Sequence, residues 1–94
     1  MENEKIYRDA LETFGADTQT KKLFEEIGEF MEALCKCADG RDKVLHLAEE
    51  IADVSIMLDQ MAFRFGCDAE VERMRRYKLR RLEQKIEEAR REQY

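Results

Sequence analysis

Two seven-residue stretches that echo each other decide how this chain folds: FEEIGEF at residues 24–30 and AEEIADV at residues 48–54. Each carries a Glu pair, an Ile, a small residue and then a second acid. Two acids in each copy therefore stand three positions apart, and residues three apart lie on one face of an α-helix. Two such helices packed side by side can bring four carboxylates together. The four acids are Glu26, Glu29, Glu50 and Asp53.

The apolar residues around both stretches follow the period of an α-helix, 3.6 residues per turn. The stripe residues are Leu23, Ile27, Phe30, Met31 and Leu34 in the first segment, and Leu47, Ile51, Val54 and Leu58 in the second. In both helices the first acid lies roughly 80° and the second roughly 140° from the stripe centre, on the same flank. Acids beside an apolar stripe are ordinary in one amphipathic helix, but two matching flanks favour a shared site. Glu49 points elsewhere by the same angular count.

The composition predicts one all-α domain that spans residues 1–94. The chain has no Pro, four Gly and 41% charged residues, which favours long helices. It has no apolar run of the ~20 residues that a membrane span needs, and no N-terminal run like a signal peptide. Three Cys without paired metal-ligand spacing predict reduced thiols in a cytoplasmic protein. So small a domain is marginally stable without a partner.

Four helices are expected, at about residues 2–14, 18–38, 42–65 and 69–91. The predicted N-caps are Asp17 or Thr18, Asp42 and Asp68, and Gly15, Gly40 and Gly66 mark ends or turns. The third helix is apolar on more than one side, because Leu45, Ile56 and Phe63 lie roughly opposite its stripe. A helix that is apolar nearly all round is buried nearly all round. The sequence therefore predicts that this second face meets another subunit.

The fourth helix is basic, whereas the rest of the chain is acidic. Residues 70–94 hold nine basic and six acidic side chains, a net of +3, and residues 1–69 hold eight and 16, a net of −8. Such a helix could touch nucleic acid, but its interspersed Glu residues favour a solvated, salt-bridged face. Lys78 falls inside the helix's apolar stripe, with Arg81 just to one side. Lys78 either snorkels to the stripe edge or reaches an anionic ligand beside the acids.

Clustered carboxylates ionise together only when cations neutralise them, and hard oxygen ligands suit Mg²⁺ or Mn²⁺. A carboxylate-bridged di-iron centre usually needs two Glu-x-x-His motifs, and this chain has the single histidine His46. His46 stands one turn before Glu50 on the same flank. It contacts substrate or metal, or it hydrogen-bonds the acid at i+4, which is the more common arrangement.

These features resemble the MazG-like, all-α nucleoside triphosphate pyrophosphohydrolases. The motif is Glu-x-x-Glu at residues 26–29, a spacer of residues 30–49, and Glu-x-x-Asp at residues 50–53. The following VSIMLDQM at residues 54–61 and KLRRL at residues 78–82 look like the short, single-domain members of bacteria and phages. The resemblance covers about residues 18–86.

The resemblance implies a four-helix-bundle-like protomer that assembles into a homodimer or homotetramer. It implies a Mg²⁺-dependent enzyme that cleaves a nucleoside triphosphate between the α and β phosphates, giving a monophosphate and pyrophosphate, as in nucleotide-pool housekeeping. By position, the catalytic and metal-binding residues would be Glu26, Glu29, Glu50 and Asp53, and the phosphate-binding residues would be Lys78 and Arg81. The resemblance implies no particular base or sugar.

Two other classes of protein remain open from the residues alone. The first is a non-enzymatic helical interaction module whose acids are only a surface. The second is a nucleic-acid-binding module that works through the basic fourth helix, which the mixed charges of that helix disfavour.

Overall fold

Residues 1–93, which the computed structural model describes, form four α-helices and no strand. The helices are α1 (Glu4–Phe14), α2 (Ala16–Ala38), α3 (Val44–Arg64) and α4 (Asp68–Glu92). The predicted all-α class is confirmed. None of the helices in this range combines the length and the apolar character that crossing a bilayer requires.

The predicted side-chain caps are not used, although the helix ends fall within two residues of their expected positions. Helix α2 begins at Ala16 with Gly15 as its N-cap, and Asp17 lies inside its first turn. The backbone N–H of Gly15 also ends α1 by donating to the carbonyl of Leu11 at 3.0 Å. Gly15 has a φ of +89°, which a residue with a side chain rarely adopts, so one glycine joins the two helices.

Helices α3 and α4 also start without the predicted caps. Lys43 is the N-cap of α3. The Asp42 carboxylate accepts the Lys43 backbone N–H at 2.7 Å with one oxygen and contacts His46 with the other. Cys67 is the N-cap of α4, so Asp68 is a helical residue in the first turn. A carboxylate in the first turn still favours the helix through the helix dipole.

Helices α2 and α3 form an antiparallel hairpin joined by a short loop, and α1 packs against both of them. The start of α2 meets the end of α3, where Arg64 donates to the Ala16 carbonyl at 3.3 Å and to the Thr20 hydroxyl. Tyr7 ties α1 to the same end, because its ring packs 6.4 Å from that of Phe63. Phe63, predicted to face another subunit, is thus partly covered by α1.

The core of the described chain is small. The buried hydrophobic residues are Tyr7, Ala33, Met57 and Ala62. Several residues of the two predicted core stripes remain exposed; Met31 and Leu58, for example, are 59% and 52% exposed. The stripes are therefore wider than the contact between α2 and α3.

Helix α4 projects from the hairpin and contacts α3 alone among the other helices. Its residues from 69 to 93 are all exposed, including the stripe residues Val71, Met74, Leu82 and Ile86. The radius of gyration is 17.0 Å, whereas a compact chain of this length would have about 12 Å. The described chain by itself is therefore a hairpin with two attached helices rather than a closed four-helix bundle.

Candidate metal centre on the α2–α3 hairpin

Three of the four predicted acids converge in the middle of the hairpin. Glu26 and Glu29 of α2 and Glu50 of α3 can each place one carboxylate oxygen within 4.8 Å of the other two. The i, i+3 spacing puts the first two on one face of α2, and the antiparallel packing brings α3 beside that face. We call these three residues the acid cluster.

Two members of the acid cluster are buried, and each has an oxygen without a hydrogen-bond partner. The side chains of Glu26 and Glu50 are only 9% and 11% exposed. The Oε2 atom of each is buried and finds no hydrogen-bond donor among residues 1–93. A buried carboxylate without a partner costs folding free energy, and such groups are normally paired or coordinate a metal. The two orphaned oxygens therefore fit a site that binds a cation.

The third member, Glu29, is exposed, and its neighbours change its acidity. The adjacent Glu26 carboxylate raises the pKa of Glu29, and partial desolvation and the Glu50 carboxylate act in the same direction. Like charges in one site disfavour full ionisation, so the cluster attracts positive charge. A hard divalent cation would supply that charge through oxygen ligands.

Lys22 already supplies part of this charge from one turn before Glu26. Its Nζ lies 3.3 Å from Glu26 Oε1 and 3.8 Å from Glu25 Oε2. The hydrogen bond to Glu26 raises the pKa of Lys22. Lys22 therefore pairs with one of the three acids of the cluster and leaves the other two to other partners.

Asp53, the fourth predicted acid, is exposed and lies outside the group of converging oxygens. It follows Glu50 by three residues, on the same flank but farther round the helix toward solvent. Its part in holding a metal stays a prediction.

The two predicted phosphate-binding residues, Lys78 and Arg81, are exposed on α4. Helix α4 contacts α3 but not α2, which carries Glu26 and Glu29. Within residues 1–93, the fold therefore does not bring these two basic residues together with the acid cluster.

A line of three contacting side chains runs from the loop before α3 through the first turns of α3 to the acid cluster. Asp42 Oδ2 lies 2.5 Å from His46 Nδ1, and His46 Nε2 lies 3.4 Å from Glu50 Oε1. The hydrogen bond with Asp42 raises the pKa of His46, with Glu50 adding to the effect, and it lowers the pKa of Asp42. Sequence reasoning placed His46 next to Glu50 but missed Asp42, which it took for a helix cap. The i, i+4 spacing of residues 42, 46 and 50 is the sequence signal that could have identified all three residues.

A cavity of about 180 Å³ opens at this place between the end of α2 and the start of α3. Its lining residues are Glu29, Glu32, Ala33, Lys36, His46 and Glu50. Glu32 and Lys36 pair with each other at 2.8 Å on its outer side. The cavity therefore gives solvent access to two members of the acid cluster and to His46.

No family model, no curated protein and no solved structure matches this chain. Any function assigned to the chain therefore rests on the geometry of its own residues.

Proposed function

We propose that this chain is a Mg²⁺-dependent nucleoside triphosphate pyrophosphohydrolase of the MazG-like type. It would convert a ribo- or deoxyribonucleoside triphosphate to the monophosphate and pyrophosphate. The observation that carries the proposal is the convergence of Glu26, Glu29 and Glu50, two of which bury an oxygen without a partner. Mg²⁺ commonly binds through one or two carboxylates together with substrate phosphates, and a triphosphate supplies such phosphates.

The residues of the acid cluster would divide the work according to their burial. Glu26 and Glu50 are held between the helices, so their carboxylates are fixed before a cation binds. Glu29 stands at the solvent edge, where a triphosphate can approach. Mg²⁺ or Mn²⁺ held there would neutralise phosphate charge and would lower the pKa of a coordinated water. Asp53, on the exposed flank, would complete the set of metal-binding acids.

We further propose that the protein acts as a homodimer or homotetramer. A groove of about 530 Å³ lies between α2, α3 and α4. Its apolar lining includes Phe30, Ile51, Val54, Leu58, Phe65 and Val71. Helix α4 exposes its own apolar stripe nearby, and a 25-residue helix without buried residues gains little stability from its own chain. A second copy would cover both surfaces.

Charge favours the same arrangement. The basic segment of residues 70–94 carries a net of +3 and the remainder of the chain a net of −8. Contact between α4 of one copy and the acidic hairpin of another therefore joins opposite charges. Such a contact would offer a route for Lys78 and Arg81 to reach phosphates held at the acid cluster. The three cysteines are free, which fits the reducing cytoplasm where nucleoside triphosphates are found.

The direct test is release of pyrophosphate from a panel of ribo- and deoxyribonucleoside triphosphates in Mg²⁺. We expect at least one nucleotide to give equal amounts of monophosphate and pyrophosphate, and EDTA to stop the reaction. Inorganic phosphate as the product, or no turnover across canonical and modified nucleotides, would contradict the proposal.

A non-enzymatic interaction module is the second candidate, because the exposed apolar face of α4 is also what a helical partner protein would bind. The two candidates differ in their response to ligands. A ligand that binds the native state raises its melting temperature. Mg²⁺ with a non-hydrolysable nucleoside triphosphate should therefore stabilise the enzyme and leave the interaction module unchanged. A nucleic-acid-binding protein would instead bind DNA or RNA with a steep dependence on salt.

A further inference from the structure

We propose that the Nε2 atom of His46 is a direct ligand of the divalent ion that Glu50 binds, and that Asp42 orients the imidazole for this purpose. The inference rests on the metal site of the proposed function and adds a nitrogen ligand to it. It also changes the class of ion that the site would prefer.

The first support is the separation of the two ligand atoms. His46 Nε2 lies 3.4 Å from Glu50 Oε1. Two ligands of one ion with bonds of about 2.1 Å stand about 3.0 Å apart at a right angle and about 3.4 Å apart at the tetrahedral angle. The two atoms therefore already have the spacing of neighbouring ligands. Both residues line the cavity beside the end of α2, which leaves room for an ion and its water.

The second support is the contact on the other side of the imidazole ring. Asp42 Oδ2 lies 2.5 Å from Nδ1, so Nδ1 donates its hydrogen to that carboxylate. A neutral imidazole protonated on Nδ1 carries its lone pair on Nε2, which faces Glu50. Histidines that bind metals in proteins almost always donate their other ring N–H to a carboxylate, a carbonyl or water. Asp42 and His46 reproduce this arrangement.

The third support is a buried carboxylate oxygen of Glu50. Its Oε2 is buried and has no hydrogen-bond partner within residues 1–93, while its Oε1 is the atom that approaches His46. A histidine that merely satisfied Glu50 would leave that second oxygen without a partner. An ion shared by Glu50 and His46 would supply positive charge to the whole carboxylate.

An imidazole ligand alters metal preference. Carboxylates and water suit Mg²⁺ and Mn²⁺, whereas imidazole suits the later transition metals, whose affinities rise along the series from Mn²⁺ to Cu²⁺. The site should therefore bind Mn²⁺ and Co²⁺ more tightly than Mg²⁺.

The test uses the fact that His46 is the single histidine of the chain. The protein is prepared without a polyhistidine tag, once with natural histidine and once with ¹⁵N-labelled histidine, and is loaded with Mn²⁺. Electron spin echo modulation of the bound Mn²⁺ should show a directly coordinated ¹⁴N nucleus, and the label should replace it by ¹⁵N. Bound Mn²⁺ without histidine coupling would overturn the inference and leave the carboxylate site of the proposed function standing. Absence of Mn²⁺ binding at millimolar concentration would overturn both the inference and the metal site.

A matched pair of variants tests the role of Asp42. Asp42→Asn should weaken Mn²⁺ binding about tenfold, since loss of such an outer partner typically costs 10- to 100-fold in metal affinity. Asp39→Asn in the same loop should bind like wild type, because Asp39 pairs with Arg41 at 2.7 Å. The readout is the free Mn²⁺ signal at equilibrium, with circular dichroism to show that both variants are folded. Equal affinities in the two folded variants would contradict the orienting role.

Discussion

Glu50 is the residue at which the contacts of the site meet. It converges with two acids of α2, it is approached by His46, and it buries one oxygen without a partner. A charge in that position destabilises the fold unless a cation accompanies it. A metal-binding role for Glu50 therefore predicts that removing its charge does not destabilise the metal-free protein.

The acidity of His46 can be predicted from the same contacts. Because Asp42 and then Glu50 raise its pKa, the midpoint of its imidazole resonance in EDTA should lie above the ordinary 6.5. Asp42→Asn should lower the midpoint, because it removes the largest cause of the raised pKa of His46. NMR titration measures this directly, because no other histidine is present. A midpoint at or below 6.5 would show that the Asp42–His46 contact does not form in solution.

The same shift predicts how stability depends on pH. A group whose pKa is raised on folding contributes stability that is complete below its unfolded value and is lost as pH rises through its folded value. The metal-free protein should therefore melt at a lower temperature at pH 8.5 than at pH 6, and His46→Asn should reduce this difference. An equal difference in melting temperature for His46→Asn would show that other titrating groups cause the pH dependence.

The sequence alone was sufficient to find Glu26, Glu29 and Glu50, because helical spacing fixes which acids share a face. It did not find the link from Asp42 to His46. The carboxylate of Asp42 could either cap α3 or bind the imidazole, and its contact with the ring competes with capping. The sequence also did not show that Asp53 would remain exposed. The angular position of a residue on a helix does not show how far the neighbouring helix covers that face.

At the scale of the helices, Gly28 is the weak point of α2. It lies in the helix interior between Glu26 and Glu29, and a Cβ added there would meet nothing within 4 Å. Gly28→Ala should therefore stabilise the protein by about 0.5–1 kcal/mol and raise its melting temperature by several degrees. Gly40→Ala is the control and should destabilise, because its φ is +70°. A lower melting temperature for Gly28→Ala would show that this face is covered in the assembled protein.

Lys78 tests whether α4 takes part in substrate binding. Lys78→Met keeps the apolar stem and removes the charge, so the melting temperature should not change. If the ammonium contacts phosphate, KM should rise about tenfold, because a charge-assisted hydrogen bond contributes about 1.5 kcal/mol or more. Lys85→Met, which removes the other lysine of α4, should keep the wild-type KM. Unchanged kinetics for Lys78→Met would assign Lys78 to the surface.

The existence and approximate extent of the helices could be predicted because long amphipathic periods and glycines mark them plainly. The position of α4 could not. Its stripe predicts a packing partner for α4, but a period does not say whether that partner belongs to the same chain. In the structure the stripe residues Val71, Met74, Leu82 and Ile86 remain exposed.

For the whole molecule, those exposed stripes predict association. The protein should sediment as a dimer or tetramer at micromolar concentration. Leu82→Glu places a charge in the α4 stripe and should shift the population toward monomer and lower the melting temperature. Gln84→Glu adds the same charge on the other side of α4 and should leave both unchanged. A wild-type monomer would contradict the proposed assembly and would make a compact α4 packed on its own hairpin the alternative.

The proposed function requires the acid cluster to be a metal-dependent catalytic site. Its most direct measurement is pyrophosphate release in Mg²⁺ by wild type, Glu50→Gln and Glu49→Gln, with melting temperatures in EDTA for each. The amide changes the charge of Glu50 with little change in shape. Glu50→Gln should lose most activity without loss of metal-free stability, because it removes a buried carboxylate whose Oε2 atom has no hydrogen-bond partner among residues 1–93. Glu49→Gln should behave like wild type, because Glu49 is exposed and outside the cluster. Asp53→Asn in the same assay tests the fourth predicted acid. Full activity in Glu50→Gln, or an equal loss in Glu49→Gln, would contradict a catalytic role for the acid cluster.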